Sequence, residues 1–188
     1  MPKFMSRPVA VLSAVAFGAL ALSATVVAPV SAQEKTVMVG GAAMFPSKNI
    51  IQNAVHSKDH TTLVAAVKAA GLVDTLEGKG PFTVFAPTNT AFGKLPTGTV
   101  DNLIKPENKA TLTKILTYHV VPGKLEASDL ADGKKLRTVE GEELTVKKAD
   151  GKVMIVDAKG GAATVTVPNV NQSNGVIHVV DTVLMPAS

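Results

Sequence analysis

The sequence predicts an α+β fold, because helical patterns fill the first half of the chain and strand patterns fill the second. Between residues 49 and 119, apolar residues recur at intervals of three and four, the period of an amphipathic helix. From residue 144 onward, short runs of valine, isoleucine and threonine are separated by Asp-Gly, Gly-Gly and Asn-Gly turns. With no internal repeat, residues 49–188 are predicted to form one domain.

The first 32 residues have the features of an export signal. Lys3 and Arg7 precede an uncharged, largely apolar stretch at residues 9–27, and the small residues 30–32 fit the site that signal peptidase cleaves. We therefore expect cleavage after Ala32 and a secreted, extracellular or periplasmic protein without stable membrane insertion. A retained anchor is the alternative, since this stretch approaches the roughly 20 residues that span a bilayer. Residues 33–48 show little periodicity and are expected to be a flexible leader.

Composition excludes several functional classes. The chain has no cysteine, which rules out a disulfide framework, a thiolate metal site and a cysteine nucleophile. Without residues 1–32, 17 basic and 15 acidic side chains remain, a net charge of +2. That balance, together with few aromatic residues, argues against a nucleic-acid-binding protein.

The helical half contains four apolar patterns. A helix is expected from Asn49, and a second, capped by Asp59 or Thr61, should end at Gly71. A short helical turn then precedes the break at residues 78–81. The last helix begins near Pro106, and its buried stripe falls at positions i, i+3, i+4 and i+7, namely Leu112, Ile115, Leu116 and His119.

Strands are predicted wherever apolar runs meet turn residues. Residues 82–86 form a compact strand that Pro87 ends, because proline cannot donate a ladder hydrogen bond. Residues 144–147 and 153–156 flank Asp150-Gly151, the signature of a two-residue hairpin. A further strand covers 163–167. Residues 176–180 are apolar on both faces, which is typical of a central strand covered on both sides.

Three of these segments resemble the signature motifs of the fasciclin-like domain family. Residues 83–92 resemble its first box, 116–121 its central tyrosine-histidine motif, and 174–186 its second box, in the family's order and spacing. The likeness covers about residues 49–186. It implies a β-sheet wedge or sandwich with helices packed along one side, in a secreted or surface-displayed module used for cell adhesion and matrix contact. The family is not known for catalysis.

Most of the motif residues are interpreted as defining the fold rather than as a site. Phe85 should be buried, and Asn89 should bond to local backbone in the turn after the strand. The complete fold-defining set is Phe85, Pro87, Asn89, Phe92, Asn174, Gly175 and His178. His178 alternates with valines on an apolar strand and is expected to be a hydrogen-bonded core histidine.

Four residues are candidates for adhesion by analogy with animal relatives: Tyr118, His119, Asn169 and Val170. His119 lies on the buried stripe of its helix, so a structural role is the favoured interpretation and direct partner contact the alternative. Asn169 stands where the resemblance would place an aspartate, and an amide cannot supply a carboxylate to a metal-dependent receptor. Integrin-type binding is therefore not expected.

No catalytic, cofactor or metal site is predicted. His56 and His60 have i, i+4 spacing, but a new helix is expected to start between them and no third ligand is near. Dinucleotide, P-loop and nucleophile-elbow patterns are absent from the sequence. The sequence thus predicts an adhesion module whose partner is a cell-surface or matrix protein or a polysaccharide. The alternative is a secreted carrier of an apolar, carotenoid-like molecule, since small aliphatic residues could line a cleft.

Overall fold

The computed structural model describes residues 35–187. The export signal expected at residues 1–32 lies outside this part of the chain. Within it, helices and strands are both abundant, which confirms the predicted α+β class. None of the helices between residues 35 and 187 has the length and apolar character needed to cross a membrane.

Helices dominate the first part of the described chain. They are α1 (Ile50–Ala54), α2 (Thr61–Ala70), α3 (Val73–Glu77), α4 (Asn89–Gly93), α5 (Thr99–Leu103) and α6 (Lys109–Tyr118). Single 3₁₀ turns at Lys58–His60 and Pro106–Asn108 lead into α2 and α6. At the start of α1, the Asn49 side chain accepts from the Gln52 backbone N–H at 2.8 Å and the Gln52 side chain accepts from the Asn49 N–H at 3.1 Å. This capping box explains why the helix begins there.

Within residues 35–187, two strands precede the helices, one lies between α3 and α4, and the other six follow α6. They are β1 (Val37–Val39), β2 (Ala42–Met44), β3 (Phe82–Pro87), β4 (Val120–Pro122), β5 (Lys135–Arg137), β6 (Glu143–Ala149), β7 (Lys152–Val156), β8 (Ala162–Gln172) and β9 (Gly175–Val180). As the sequence predicts, Asp150 and Gly151 form the two-residue turn between β6 and β7, with φ of 51° and 73°. β8 is longer than the predicted 163–167, because it continues through bulges around Val167 to Gln172.

Residues 37–44 form an antiparallel hairpin, where the sequence predicts a flexible leader. Val37 lies opposite Met44, and Val39 and Met44 are buried in the same core as the helices. Strands of three residues are too short to show a clear alternation of apolar and polar side chains, so the pattern gave no strand signal.

Seven strands make one sheet in the order β4-β3-β9-β8-β7-β6-β5. β3 and β9 are parallel, and the remaining neighbours are antiparallel. The sheet is nearly closed, since the Val139 backbone N–H near β5 donates to the Val120 carbonyl of β4 at 2.8 Å. All six residues of β9 are buried, which confirms the prediction of a central strand covered on both sides.

The sheet separates two apolar cores. One face of β3, with Val84 and Ala86, packs against α2, α6 and the N-terminal hairpin. The opposite face, with Phe85, packs against the inner side chains of β5–β8. The alternation of side chains along a strand therefore lets β3 serve both cores at once. The result is the predicted sheet wedge with helices along one side.

Candidate functional site

The three motif segments lie side by side at the centre of the sheet. The first contains β3 and α4, the second joins α6 to β4, and the third contains β9. Because β3 lies between β4 and β9, the fold brings together segments that are far apart in sequence. Their side chains can therefore be examined as one cluster.

Phe85 and His178 form the middle of this cluster. They are opposite residues of the parallel β3/β9 pair, and their stacked rings have centroids 5.7 Å apart. The Asn169 backbone N–H donates to His178 Nδ1 at 3.3 Å, so Nε2 carries the proton and donates to the Leu125 carbonyl at 2.7 Å. Burial lowers the pKa of His178, although the Leu125 carbonyl and Glu126 oppose that shift. His178 is a fully hydrogen-bonded, neutral core residue.

His119 is held in the same way at the end of α6. Its Nδ1–H donates to the Ile115 carbonyl at 2.8 Å, and its Nε2 accepts from the Leu184 backbone N–H at 2.9 Å. Burial lowers the pKa of His119 to about 4, against the opposing effects of the Ile115 carbonyl and Asp157. Both ring nitrogens are therefore occupied by backbone, and the imidazole ties the helix to the C-terminal segment.

Tyr118 points into the second core. Its ring is fully buried, and its hydroxyl accepts from the Ala158 backbone N–H at 2.9 Å. Burial, with smaller contributions from Asp157 and other nearby carboxylates, raises the pKa of Tyr118, and the Ala158 N–H opposes this. Adjacent residues 118 and 119 thus serve different cores, and neither side chain reaches the surface.

Asn169 and Val170 lie within β8 rather than in a loop. Val170 is 1% exposed and packs with the helices. Asn169 adopts a left-handed φ of 56° at the bulge, and its Oδ1 accepts from the Ala127 backbone N–H at 2.7 Å. This amide positions the bulge, and its oxygen is already engaged within the domain.

Asn174 connects the third motif segment to the helices, and Gly175 allows this segment to approach β3 closely. The Asn174 Oδ1 accepts from the Ile50 N–H at 3.1 Å, and its Nδ2 donates to the carbonyls of Leu76 and Gly78 at 2.7 and 2.9 Å. A Cβ on Gly175 would lie 1.9 Å from the Phe82 carbonyl oxygen, so only glycine permits this approach of β9 to β3.

The turn after β3 is stabilised differently from the sequence expectation. Pro87 is buried, and Thr88 caps α4, which places Phe92 in the core at 7% exposure. The sequence predicts that Asn89 bonds to local backbone, and this prediction is wrong. Its amide instead donates to the Lys58 carbonyl at 2.8 Å and accepts from the Thr62 N–H at 3.0 Å, so it fastens the turn to the start of α2.

An apolar cavity of about 40 Å³ lies between the helices and the sheet. His60 lines it, with Nδ1 bonded to the Ser57 hydroxyl at 2.9 Å and with a buried Nε2 that makes no hydrogen bond within residues 35–187. Burial lowers the pKa of His60, opposed by the Ala86 backbone and Asp59. Small-molecule sites usually occupy roughly 300–1,000 Å³. A carotenoid-like ligand would therefore need the cavity to open widely.

The spacing of His56 and His60 does not produce a chelating pair. His56 is exposed after α1, whereas His60 is buried in the following 3₁₀ turn. No group of three metal-ligating side chains occurs between residues 35 and 187. Sequence reasoning also missed a set of cations on the outer face of β5–β7, which only the strand register brings together.

Comparisons with known proteins agree with this geometry. A Fasciclin domain model matches residues 58–186. Protein sll1483 of Synechocystis sp. is 48% identical over 168 residues, covering 89% of this chain and 90% of that protein. Immunogenic protein MPB70 of Mycobacterium bovis is 38% identical over 71% of this chain and 66% of its own length. Cell surface glycolipoprotein MPB83 of the same species is 44% identical over 61% of this chain and 48% of its own length.

A solved structure shares the fold at lower identity. The FAS1 domain pair of the insect cell adhesion molecule fasciclin I aligns with a TM-score of 0.66 and 20% identity, over 75% of this chain and 52% of that chain. Together with the match over residues 58–186, this establishes that the chain belongs to the fasciclin domain family.

Proposed function

We propose that this protein is an exported, non-catalytic adhesion module that contacts a cell-surface or matrix partner, either a protein or a polysaccharide. Its family supports this, because fasciclin I is a cell adhesion molecule and MPB83 is a cell surface glycolipoprotein. The export signal predicted at residues 1–32 is consistent with such a location.

The observation that carries the proposal is that the motif side chains are buried inside the domain. Tyr118, His119, Val170 and His178 are each at most 2% exposed. The polar atoms of the two histidines are bonded to backbone, so these side chains have no free group to offer a partner. Recognition is therefore assigned to the outer sheet face and the loops, and the motifs hold those surfaces in place.

Adhesion of this kind gains strength from many copies. A single domain contact can be weak, because display of several domains on one surface raises the effective concentration of each further contact. Attachment should accordingly be measured in a multivalent format.

The test uses beads coated with the purified protein and, as control, beads coated with serum albumin at the same density. We expect the protein-coated beads to attach to the surface of the producing cells, and an excess of free protein to compete. The Phe85→Ala variant serves as a folding control on the same beads. Equal attachment of protein-coated and albumin-coated beads would refute the proposal.

A further inference from the structure

We propose that the outer face of β5–β7 binds an acidic polysaccharide through a stripe of four cations. We call these residues the basic stripe: Lys135, Arg137, Lys147 and Lys152. The inference rests on the proposed function, because it names the class of partner that the surface module meets and the surface that meets it.

Side-chain alternation places the basic stripe on the outside of the sheet. On β6, Leu144 and Val146 are fully buried, so Lys147 points to the opposite, solvent-facing side. On β5, Leu136 is buried between the exposed Lys135 and Arg137. The same alternation on β7, set by buried Ile155, puts Lys152 outside. All four cations therefore share one face.

The register makes the four cations neighbours. Lys135 lies opposite Thr145, which places it diagonal to Lys147 on the adjacent strand. Lys147 lies opposite Met154, which places it diagonal to Lys152. Diagonal positions in an antiparallel pair are roughly 7–8 Å apart. The cations thus form a continuous diagonal row across three strands rather than a scatter of surface lysines.

The charge of this face is poorly neutralised. Among the outward positions of β5–β7, Glu143 is the one acid, and its carboxylate pairs with Lys135 at 3.3 Å. Within residues 35–187, Arg137, Lys147 and Lys152 make no ion pair. Four cations and one carboxylate give this outward face a formal net charge of +3.

The surroundings of the stripe favour a sugar polymer over other polyanions. The outward positions carry no aromatic ring on which a nucleic-acid base could stack. Of the exposed large apolar residues, Met38, Phe45, Val55 and Ile104 lie outside this face, and Val139, which follows β5, is a single valine that offers little surface for insertion into an anionic membrane. β6 and β7 are paired on both sides, so a peptide cannot add as a strand beside either of them. Thr145 supplies a hydroxyl between the cations that can bond to sugar hydroxyls.

The experiment measures binding of the purified protein to immobilised polygalacturonate, with neutral dextran as the uncharged control. The test variant is Arg137→Glu, Lys147→Glu and Lys152→Glu. The matched control is Lys79→Glu, Lys105→Glu and Lys109→Glu, which changes the net charge equally at exposed sites on the helical side. Urea midpoints near the wild-type value would show that both variants fold.

We expect the stripe variant to bind polygalacturonate at least about ten-fold more weakly, since each exposed charge contact contributes a factor of roughly 2–5. The control variant should lose less than about three-fold. Binding should also fall when NaCl rises from about 50 to about 500 mM, because salt screens exposed charges. No binding by the wild type, or equal losses in both variants, would overturn the proposal.

Two further measurements separate this inference from the proposed function. Equal or tighter binding to phosphatidylserine vesicles or to duplex DNA would refute the assignment to a polysaccharide. In the bead assay, undiminished cell attachment by the stripe variant would leave adhesion standing and refute the stripe as its surface. Failure of wild-type beads to attach, with stripe-dependent polygalacturonate binding intact, would refute the proposed function alone.

Discussion

The stability of the domain should fall in mild acid because His119 must stay neutral. Burial lowers its pKa in the folded state from 6.5 to about 4. Nε2 now accepts a hydrogen bond from the Leu184 backbone N–H. Protonation of Nε2 would replace this hydrogen bond with two N–H donors that face each other. Above pH 6.5 the residue is neutral in both states and its contribution to stability is complete. As the pH falls from about 6.5 to about 4, the unfolded chain binds the proton first, and the folded state loses stability.

The size of this effect follows from the two pKa values. Between pH 7.5 and pH 5 the linkage relation gives a loss of about 2 kcal/mol, and the limit in stronger acid is about 3 kcal/mol. Urea unfolding at both pH values should compare the wild type with His119→Gln, whose side chain cannot titrate. His60 and His178 remain in both proteins, so the difference between the two isolates residue 119.

The variant should be less stable than the wild type at pH 7.5, because it loses the bond to the Ile115 carbonyl. That deficit should shrink by about 2 kcal/mol at pH 5, since only the wild type loses stability through proton binding at residue 119. A deficit that is the same at both pH values would refute the reasoning. So would an NMR titration in which the His119 ring protonates near pH 6.5 while the protein is folded.

Three core substitutions, two of them with a matched control substitution, test the packing by urea unfolding. Phe85→Ala should lower the free energy of unfolding by about 3–5 kcal/mol, and an unchanged midpoint would place this ring outside the core. Gly175→Ala should prevent the close pairing of β9 with β3, whereas Gly93→Ala, with open space around its Cβ, should be neutral or stabilise by up to about 1 kcal/mol. A stable Gly175→Ala protein would contradict this. Met44→Ala should cost about 2–5 kcal/mol and Met38→Ala, at a 62% exposed position, almost nothing; equal effects would show that the N-terminal hairpin is not packed.

Local patterns predicted the parts of the fold that local physics determines. The stripe on α6 is buried as its spacing predicts, because helical periodicity alone sets which residues share a face. The Asp150-Gly151 turn adopts the expected positive φ angles, since these residues tolerate that conformation at low cost. The burial of both faces of β9 could likewise be predicted, because valines and an isoleucine occupy both alternating faces of the strand and only His178 interrupts them.

Contacts between distant segments could not be predicted from such patterns. Asn89 bonds to residues about 30 positions earlier, and nothing near it in sequence indicates that choice. The bond from Leu184 to His119 joins residues 65 positions apart. The basic stripe could not be predicted from the sequence for a related reason. Its members are spread over 18 residues of sequence and become neighbours only through the register of three strands.

Quenching of tyrosine fluorescence by iodide tests most directly whether the motifs are internal scaffold. The chain has one tyrosine and no tryptophan, so its intrinsic fluorescence comes from Tyr118 alone. Because that ring is fully buried, iodide should quench the native protein weakly and the urea-unfolded protein strongly. Native quenching as strong as that of free tyrosine would contradict the account. It would mean that the central motif faces water and that Tyr118 is available for direct contact with a partner.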